Sequence, residues 1–292
     1  MKDLLAKANT LMEALPWIKH AWGRIVVIKY GGAAMTDPVL RDHVADDIVL
    51  MKLVGVNPVV VHGGGPEITS FMERLDLPVE FYDGQRVTSD EAMEVVKMVL
   101  VGKVNKELVG AINSHGRLAV GLSGEDANLV TATARDPKLG RVGTVTGIDT
   151  TVIDNLIEDG FVPIVASVAA GDDGGSFNVN ADLVAGELAG ALGADKVIFL
   201  TDVDGLYRDF SDKSSLISVL TPTQAEEMIV GDLLEGGMVP KVGACLHAVR
   251  GGVRRAHILN GTVPHALLLE VYTDEGVGTM IAADLETSEG GD

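Results

Sequence analysis

The stretch "RIVVIKYGGAAM", residues 24–35, decides how this chain is read. It is an apolar, β-branched run that closes on Lys29 and then Gly31-Gly32. An unbroken run of this kind suits a strand buried on both faces. Glycines at the carboxyl end of a strand let backbone N–H groups come close to an anion, because no Cβ stands in the way. In the Walker phosphate loop the lysine follows the glycines. Here it precedes them, inside the strand.

The same grammar repeats along the chain. Strand-like runs lie at 24–29, 57–62, 117–123, 161–167, 196–201 and 265–272, the last of which could also be helical. Helical patterns fill 38–54, 66–75, 89–113, 150–159, 180–192, 222–230 and 239–250. Apolar strands alternating with helices imply a mainly parallel sheet covered on both faces. Residues 124–150 read as a hairpin inserted into that frame. The acidic, glycine-rich "AAGDDGGSFN" (169–178) is the best candidate for a lobe boundary. The ending "LETSEGGD" has a disordered composition. Before the first strand, Leu4, Leu5, Ala8, Leu11, Met12 and Leu15 recur at helical spacing, and Pro16 ends the run. Such a helix either packs on its own domain or reaches to another subunit, and periodicity alone favours the first.

Composition narrows the function classes. The 292 residues are 47% hydrophobic with a formal charge of −19. An acidic surface repels nucleic acid and anionic membranes, so neither is an expected partner. An anionic substrate must then meet a few locally placed lysines and arginines. No apolar run reaches membrane-spanning length. The single Cys245 excludes an internal disulfide and suits a reducing cytoplasm, the expected location.

Neither the Walker loop nor a dinucleotide fingerprint follows any strand. Instead, Gly63-Gly64-Gly65 come after "NPVVVH", and Pro66 then opens a helix. Two glycine clusters at strand ends, one with a strand-end lysine, read better as a cradle for a phosphoryl group than as mere tight turns. Arg86 stands in a loop just before a helix capped by Ser89, where it can grip a carboxylate bidentately. Asn178, Asn180 and Asp182 enter another helix, and capping explains one of the three. Asp202, Asp204 and Asp209 follow an apolar strand as turn formers or as a nucleotide border. Lys241 lies in the first turn of a helix after Gly236-Gly237, where the helix dipole disfavours a cation, so an anionic partner is expected.

In this order, "IVVIKYGG", "VVVHGGG", "DGQRVT", "NVNAD", "FLTDVDGLY" and "GGMVPKV" resemble the motifs of the amino acid kinase family. The match is strongest to its branch that phosphorylates the side-chain carboxylate of N-acetyl-L-glutamate, the second step of arginine biosynthesis. The resemblance runs from about residue 24 to about 282. It implies an open three-layer αβα sandwich, with residues 21–178 binding the acyl substrate and 179–292 binding ATP. In catalysis it implies Lys29, Lys241, Asp182, Gly32 and Gly64. For the acyl substrate it implies Gly64, Gly65, Arg86, Asn178 and Asn180. For ATP it implies Gly31, Thr201, Asp202, Val203, Gly205, Leu206, Tyr207, Asp209, Lys213 and Lys241. Mg²⁺ would ride on the ATP phosphates without a dedicated protein cage.

The N-terminal helix and "HILNGTVPHALLLEVYTDEGVGTMI" (257–281) are similar to the arginine-inhibited, hexameric members. That similarity makes residues 1–20 an assembly helix joining dimers into a trimer of dimers, against the reading from periodicity. It assigns Lys213, His257, Glu270, Gly276 and Gly278 to L-arginine as inhibitor. Two alternatives stay open: a glutamate or aspartate kinase of the same fold, and a non-catalytic arginine or nucleotide sensor.

Overall fold

The computed structural model describes residues 2–283 apart from 33, 34, 36, 210, 232, 235–237 and 273–275. The first part of the chain forms α1 (Lys2–Ala21), β1 (Ile25–Tyr30), α2 (Pro38–Leu53), β2 (Asn57–His62), α3 (Gly65–Arg74), β3 (Phe81–Tyr82), β4 (Gln85–Arg86) and α4 (Asp90–Lys97). A π-helical segment (Met98–Val104) leads into α5 (Asn105–Asn113). Next come β5 (Ala119–Ser123), β6 (Val130–Ala134), β7 (Gly143–Ile148), α6 (Thr151–Glu158), β8 (Val162–Ala166), β9 (Val168–Gly171), β10 (Ser176–Asn178) and α7 (Ala181–Ala191). The remainder is β11 (Lys196–Thr201), β12 (Leu206–Tyr207), β13 (Leu216–Ile217), β14 (Val219–Leu220), α8 (Pro222–Val230), α9 (Met238–Arg250), β15 (Arg255–Asn260), α10 (Ala266–Tyr272) and β16 (Thr279–Ala282).

The opening stretch becomes β1, a central strand of an eight-stranded sheet ordered β14-β16-β15-β11-β1-β2-β8-β5. Both neighbours of β1 run parallel to it, and β16 lies antiparallel to β15. Val26, Ile28 and Tyr30 pack with Val44, Ile48, Leu108 and Ile112 of α2 and α5. Val27 points the other way, into a cluster with Val184, Leu188, Val242 and Cys245 of α7 and α9. Helices on both faces make the three-layer sandwich. Each fully buried Val or Ile contributes roughly 1.5–3 kcal/mol. Several of them on each face hold the register, since a one-residue slip would turn Lys29 away from α7. The chain moves from β1 to β2 on one side and later returns, through α7, to β11 on the other, so a ligand crevice is expected outside the carboxyl ends of these strands.

Three sequence expectations change, and one open choice is decided. Within the last strand-like run, Ala266–Tyr272 form α10, the helical alternative, because "ALLLE" is rich in helix formers. The strand beside β11 is the earlier "RAHILN" of β15, a short run bounded by Arg and Asn. The helix expected over 89–113 is broken by the π-helical segment. Finally, α1 continues through Pro16 to Ala21. The ring removes one helical N–H, but α1 lies beside α10, where Trp17 and Ile18 line one cavity with Leu268 and Tyr272, and that tertiary placement favours continuation.

The inserted hairpin is present as β6 and β7, paired antiparallel. Together with β9 and β10 it builds a second, four-stranded sheet, so the acidic stretch at 169–178 is folded as a strand pair. The turn "SGEDANL" joins β5 to β6 and is pinned by Asp126, whose Oδ2 accepts from the Ser123 amide at 2.7 Å. The "LETSEGGD" tail lies outside the described residues.

Candidate active site

A cleft of about 300 Å³ opens at the carboxyl ends of β1 and β2. Lys29 shares the parity of Val27, so its side chain rises on the α7 face. Its Nζ lies 2.9 Å from Asp182 Oδ1, and the two side chains are 13% and 14% exposed. Asp182 sits in the first turn of α7, where the helix dipole favours a carboxylate. A Cβ on Gly31 would collide with the Lys29 ammonium, so glycine there gives the lysine its room. Gly32 has φ +70°, and a Cβ there would strike Asp202 Oδ1.

The second glycine loop forms the opposite wall. Gly63, Gly64 and Gly65 line the cleft, and α3 starts at Gly65 with Pro66 behind it. A Cβ on Gly64 would lie 2.7 Å from Leu100 Cδ2, in the π-helical segment. Arg86 closes one side. It is 8% exposed, donates from Nη2 to Gly65 O (3.0 Å) and Thr69 Oγ1 (2.6 Å), and lies over the Phe81 ring. Burial lowers its pKa from the ordinary value, as desolvation disfavours the cation. Asn178 lines the cleft and donates to Thr88 Oγ1 at 3.3 Å. Asn180 also lines it, but its Oδ1 caps α7 by accepting from the amides of Asp182 (2.7 Å) and Leu183 (3.2 Å).

Lys241 is not among the residues that line this cleft. It occupies the first turn of α9, half-buried, and forms no ion pair among the described residues. Asp182 and Lys241 both act electrostatically on the buried Cys245 thiol, which burial pushes up, so the two face a common region. The loop after β11 follows on that side. Thr201 Oγ1 bonds the backbone of Val203, and Gly205 packs against Thr279. Leu206 and Tyr207 pair with β13. Asp204 ties the loop together: it accepts from Tyr207 Oη and Asn260 Nδ2, each at 2.7 Å. Lys213 stands over the Tyr207 ring and 4.0 Å from Asp204. Asp209 accepts from the Ser211 amide at 2.9 Å.

The amino acid kinase family profile matches residues 24–260. The chain is 50% identical to the acetylglutamate kinase of Petrotoga mobilis, covering 97% of this chain and 95% of that protein. It is 52% identical to the acetylglutamate kinase of Syntrophomonas wolfei, covering 95% of this chain and 97% of that protein. The N-acetylglutamate synthase of Neisseria gonorrhoeae, solved with coenzyme A and N-acetyl-glutamate, superposes with a TM-score of 0.83 at 23% identity. That match covers 95% of this chain but 63% of the synthase chain, and it bears on the fold alone.

The chain belongs to the amino acid kinase family. It is an enzyme, a phosphotransferase. Among the described residues no helix is long and apolar enough to cross a membrane.

This amino acid kinase carries a second polar cluster at the other end of the sheet. His257 Nδ1 lies 2.7 Å from Glu270 Oε1, a close approach outside good hydrogen-bond angles, and the two side chains are 2% and 8% exposed. Burial works against the charged Glu270, but His257, the Val277 amide (3.2 Å) and Lys196 outweigh it and hold its carboxyl below the ordinary value. Burial pushes both the Lys196 ammonium and the His257 imidazole down. Gly276 lies beside Glu270 and Gly278 against Ile258 O. An adjoining cavity of about 300 Å³ is bounded by Trp17, His20, Arg24, Lys196 and Arg255. Lys213 is not part of this cluster. It follows the carboxyl end of β11, while Lys196 is the first residue of that strand. In the sequence Lys196 reads only as the polar lip of a strand.

Proposed function

We propose that the chain transfers the γ-phosphoryl group of ATP to the side-chain carboxylate of N-acetyl-L-glutamate. The observation that carries this reading is the Lys29–Asp182 pair between two glycine loops, with Arg86 and Asn178 in the same cleft. The acetylglutamate kinase relatives at 50% and 52% identity support the choice of acceptor.

A carboxylate is already ionised at neutral pH, so the reaction needs no general base. Its difficulty is bringing one anion onto another, and the remedy is positioning and charge neutralisation. A carboxylate oxygen attacks the γ-phosphorus while the bond to the β,γ-bridging oxygen breaks, and ADP departs. Lys29 meets the transferring group from one side and Lys241 the departing phosphates from the other. Asp182 holds Lys29 in place. Backbone N–H groups of Gly32 and Gly64 donate to the phosphoryl oxygens. Arg86 and Asn178 grip the α-carboxylate region against Gly65. Gly31 and the loop from Thr201 to Lys213 take the nucleotide. Mg²⁺ would come with ATP and would neutralise phosphate charge beside Lys29, Lys241 and the loop after β11.

L-Arginine is the proposed inhibitor, at the amino end of the sheet. Glu270 takes the guanidinium and Lys196 the carboxylate, with His257, whose Nε2 has no hydrogen-bond partner among the described residues, and the backbone at Gly276 and Gly278 nearby. Leu11, Met12 and Leu15 of α1 are exposed in the single chain, which supports α1 as the element joining dimers into a cytoplasmic hexamer. ADP release compared with N-acetyl-L-glutamate, L-glutamate and L-aspartate tests the acceptor. A preference for either free amino acid overturns it.

A further inference from the structure

The Gly64 N–H can stabilise a phosphoryl oxygen only if its peptide plane faces the cleft. His62 and Asn105 fix that plane. His62, the last residue of β2, is fully buried, and its Nδ1 lies 2.9 Å from Gly63 O. Its Nε2 lies 3.1 Å from Asn105 Nδ2. The amide of Asn105 also reaches Ile164 O at 2.8 Å and Leu122 O at 3.2 Å. Two carbonyl acceptors on one side make that atom the NH₂ nitrogen, since an oxygen there would face two oxygens. His62 Nδ1 faces a carbonyl oxygen and so carries the ring proton, which leaves Nε2 as the bare acceptor turned to the Asn105 NH₂, whose two hydrogens are shared among three acceptors. Burial pushes the imidazole down to about 4, so it stays neutral at working pH.

In a trans peptide the C=O and the following N–H point in opposite directions. Among the described residues no cis peptide bond is present. A Gly63 carbonyl held by the His62 ring therefore turns the Gly64 N–H the other way. Among the described residues that N–H donates to no protein acceptor. The π-helical segment completes the device, pressing Leu100 and Val104 against Gly64 while it delivers Asn105 to His62.

We infer that His62, held by Asn105, is a positioning residue that orients the Gly63–Gly64 peptide for phosphoryl transfer. The inference rests on the proposed reaction at this cleft. His62 touches neither substrate; it acts through the peptide.

Two variants separate the ring nitrogens. In His62→Asn the amide nitrogen can stand where Nδ1 stood and keep the bond to Gly63 O. In His62→Gln the amide reaches the place of Nε2, so it can keep Asn105 but lose Gly63. Both put a polar side chain of reduced bulk in the same buried position, so destabilisation alone affects them alike. The expected result is kcat within about fivefold of the wild type for His62→Asn and about tenfold or more below it for His62→Gln, less than the loss of a whole donor. KM for ATP should stay within about threefold in both, and melting temperatures, measured alongside, should match each other. Equal kcat values, a faster His62→Gln, or kcat that tracks melting temperature overturns the positioning role. The wild type, run against the three acceptors, reports on the reaction itself. If it prefers another acceptor, the comparison is made with that one. If it phosphorylates none, both readings fall.

Discussion

Lys29→Ala removes the ammonium that lies 2.9 Å from Asp182 in a largely covered site. At that distance the pair's attraction is about 6 kcal/mol for an effective dielectric near 20, and desolvation offsets much of it. Two effects on catalysis follow. The transferring phosphoryl loses a cation, and Asp182 is left facing it with its charge uncompensated. Removing one preorganised donor typically costs about 10²–10³ in rate. With repulsion added, kcat should fall by about 10³, or roughly 4 kcal/mol of barrier. Asp182→Asn should be milder, about tenfold to thirtyfold. It keeps the side chain's shape, leaves Lys29 present and spares the α7 cap, which uses the backbone amide of residue 182. The double variant provides the sharper test. Once Lys29 is gone, neutralising Asp182 removes repulsion, so the double variant should be faster than Lys29→Ala alone. The assay is steady-state ADP release at saturating ATP and acyl substrate, with thermal melts to confirm folding. Wild-type-like turnover in Lys29→Ala would refute the reasoning, and so would a double variant slowed by the product of the single effects.

Arg86→Lys keeps a cation but loses the planar fork that reaches Gly65 O and Thr69. KM for the acyl substrate should rise about tenfold or more while KM for ATP changes little, and equal effects on both would count against Arg86 in the acyl pocket. Burial pushes the Asp47 carboxyl up to about 6, despite its 2.6 Å contact with His265. The folded chain then keeps a proton that the unfolded chain has released from about pH 4, so this group's stabilisation is present below pH 4 and lost as pH rises to 6. Asp47→Asn should therefore gain in melting temperature relative to the wild type by a few °C as pH goes from about 4.5 to 7, with a constant or shrinking gap as the contrary result. Deleting residues 1–20 should leave an active, smaller assembly that L-arginine inhibits poorly, and Glu270→Gln should weaken inhibition with little change in kcat. A truncated chain that keeps its size by light scattering and its full sensitivity would remove α1 from the regulatory account.

What the sequence made legible depended on whether the signal was local. The strands, the glycine loops and the inserted hairpin were readable because burial on two faces and backbone access to an anion each demand particular residues in one short window. Lys29 was readable for the same reason, as a charge stranded at the end of an apolar run. Lys196 and His257 were harder, since each looks like an ordinary strand residue until β11, β15 and α10 bring them beside Glu270. His62 was hidden in plain view between an apolar run and three glycines. Its partner Asn105 comes 43 residues later, behind a π-helical segment that periodicity read as plain helix. Regular turns can be inferred from spacing, but the extra residue of a π turn is favoured only by what it packs against, here Gly64. The two ends of the central strands therefore differ in how they were written. The carboxyl ends bear the proposed site in contiguous motifs, because the proposed chemistry would use backbone that must sit within a few residues of each strand. The amino ends assemble their polar cluster from single side chains on separate elements, and only the sheet register joins them.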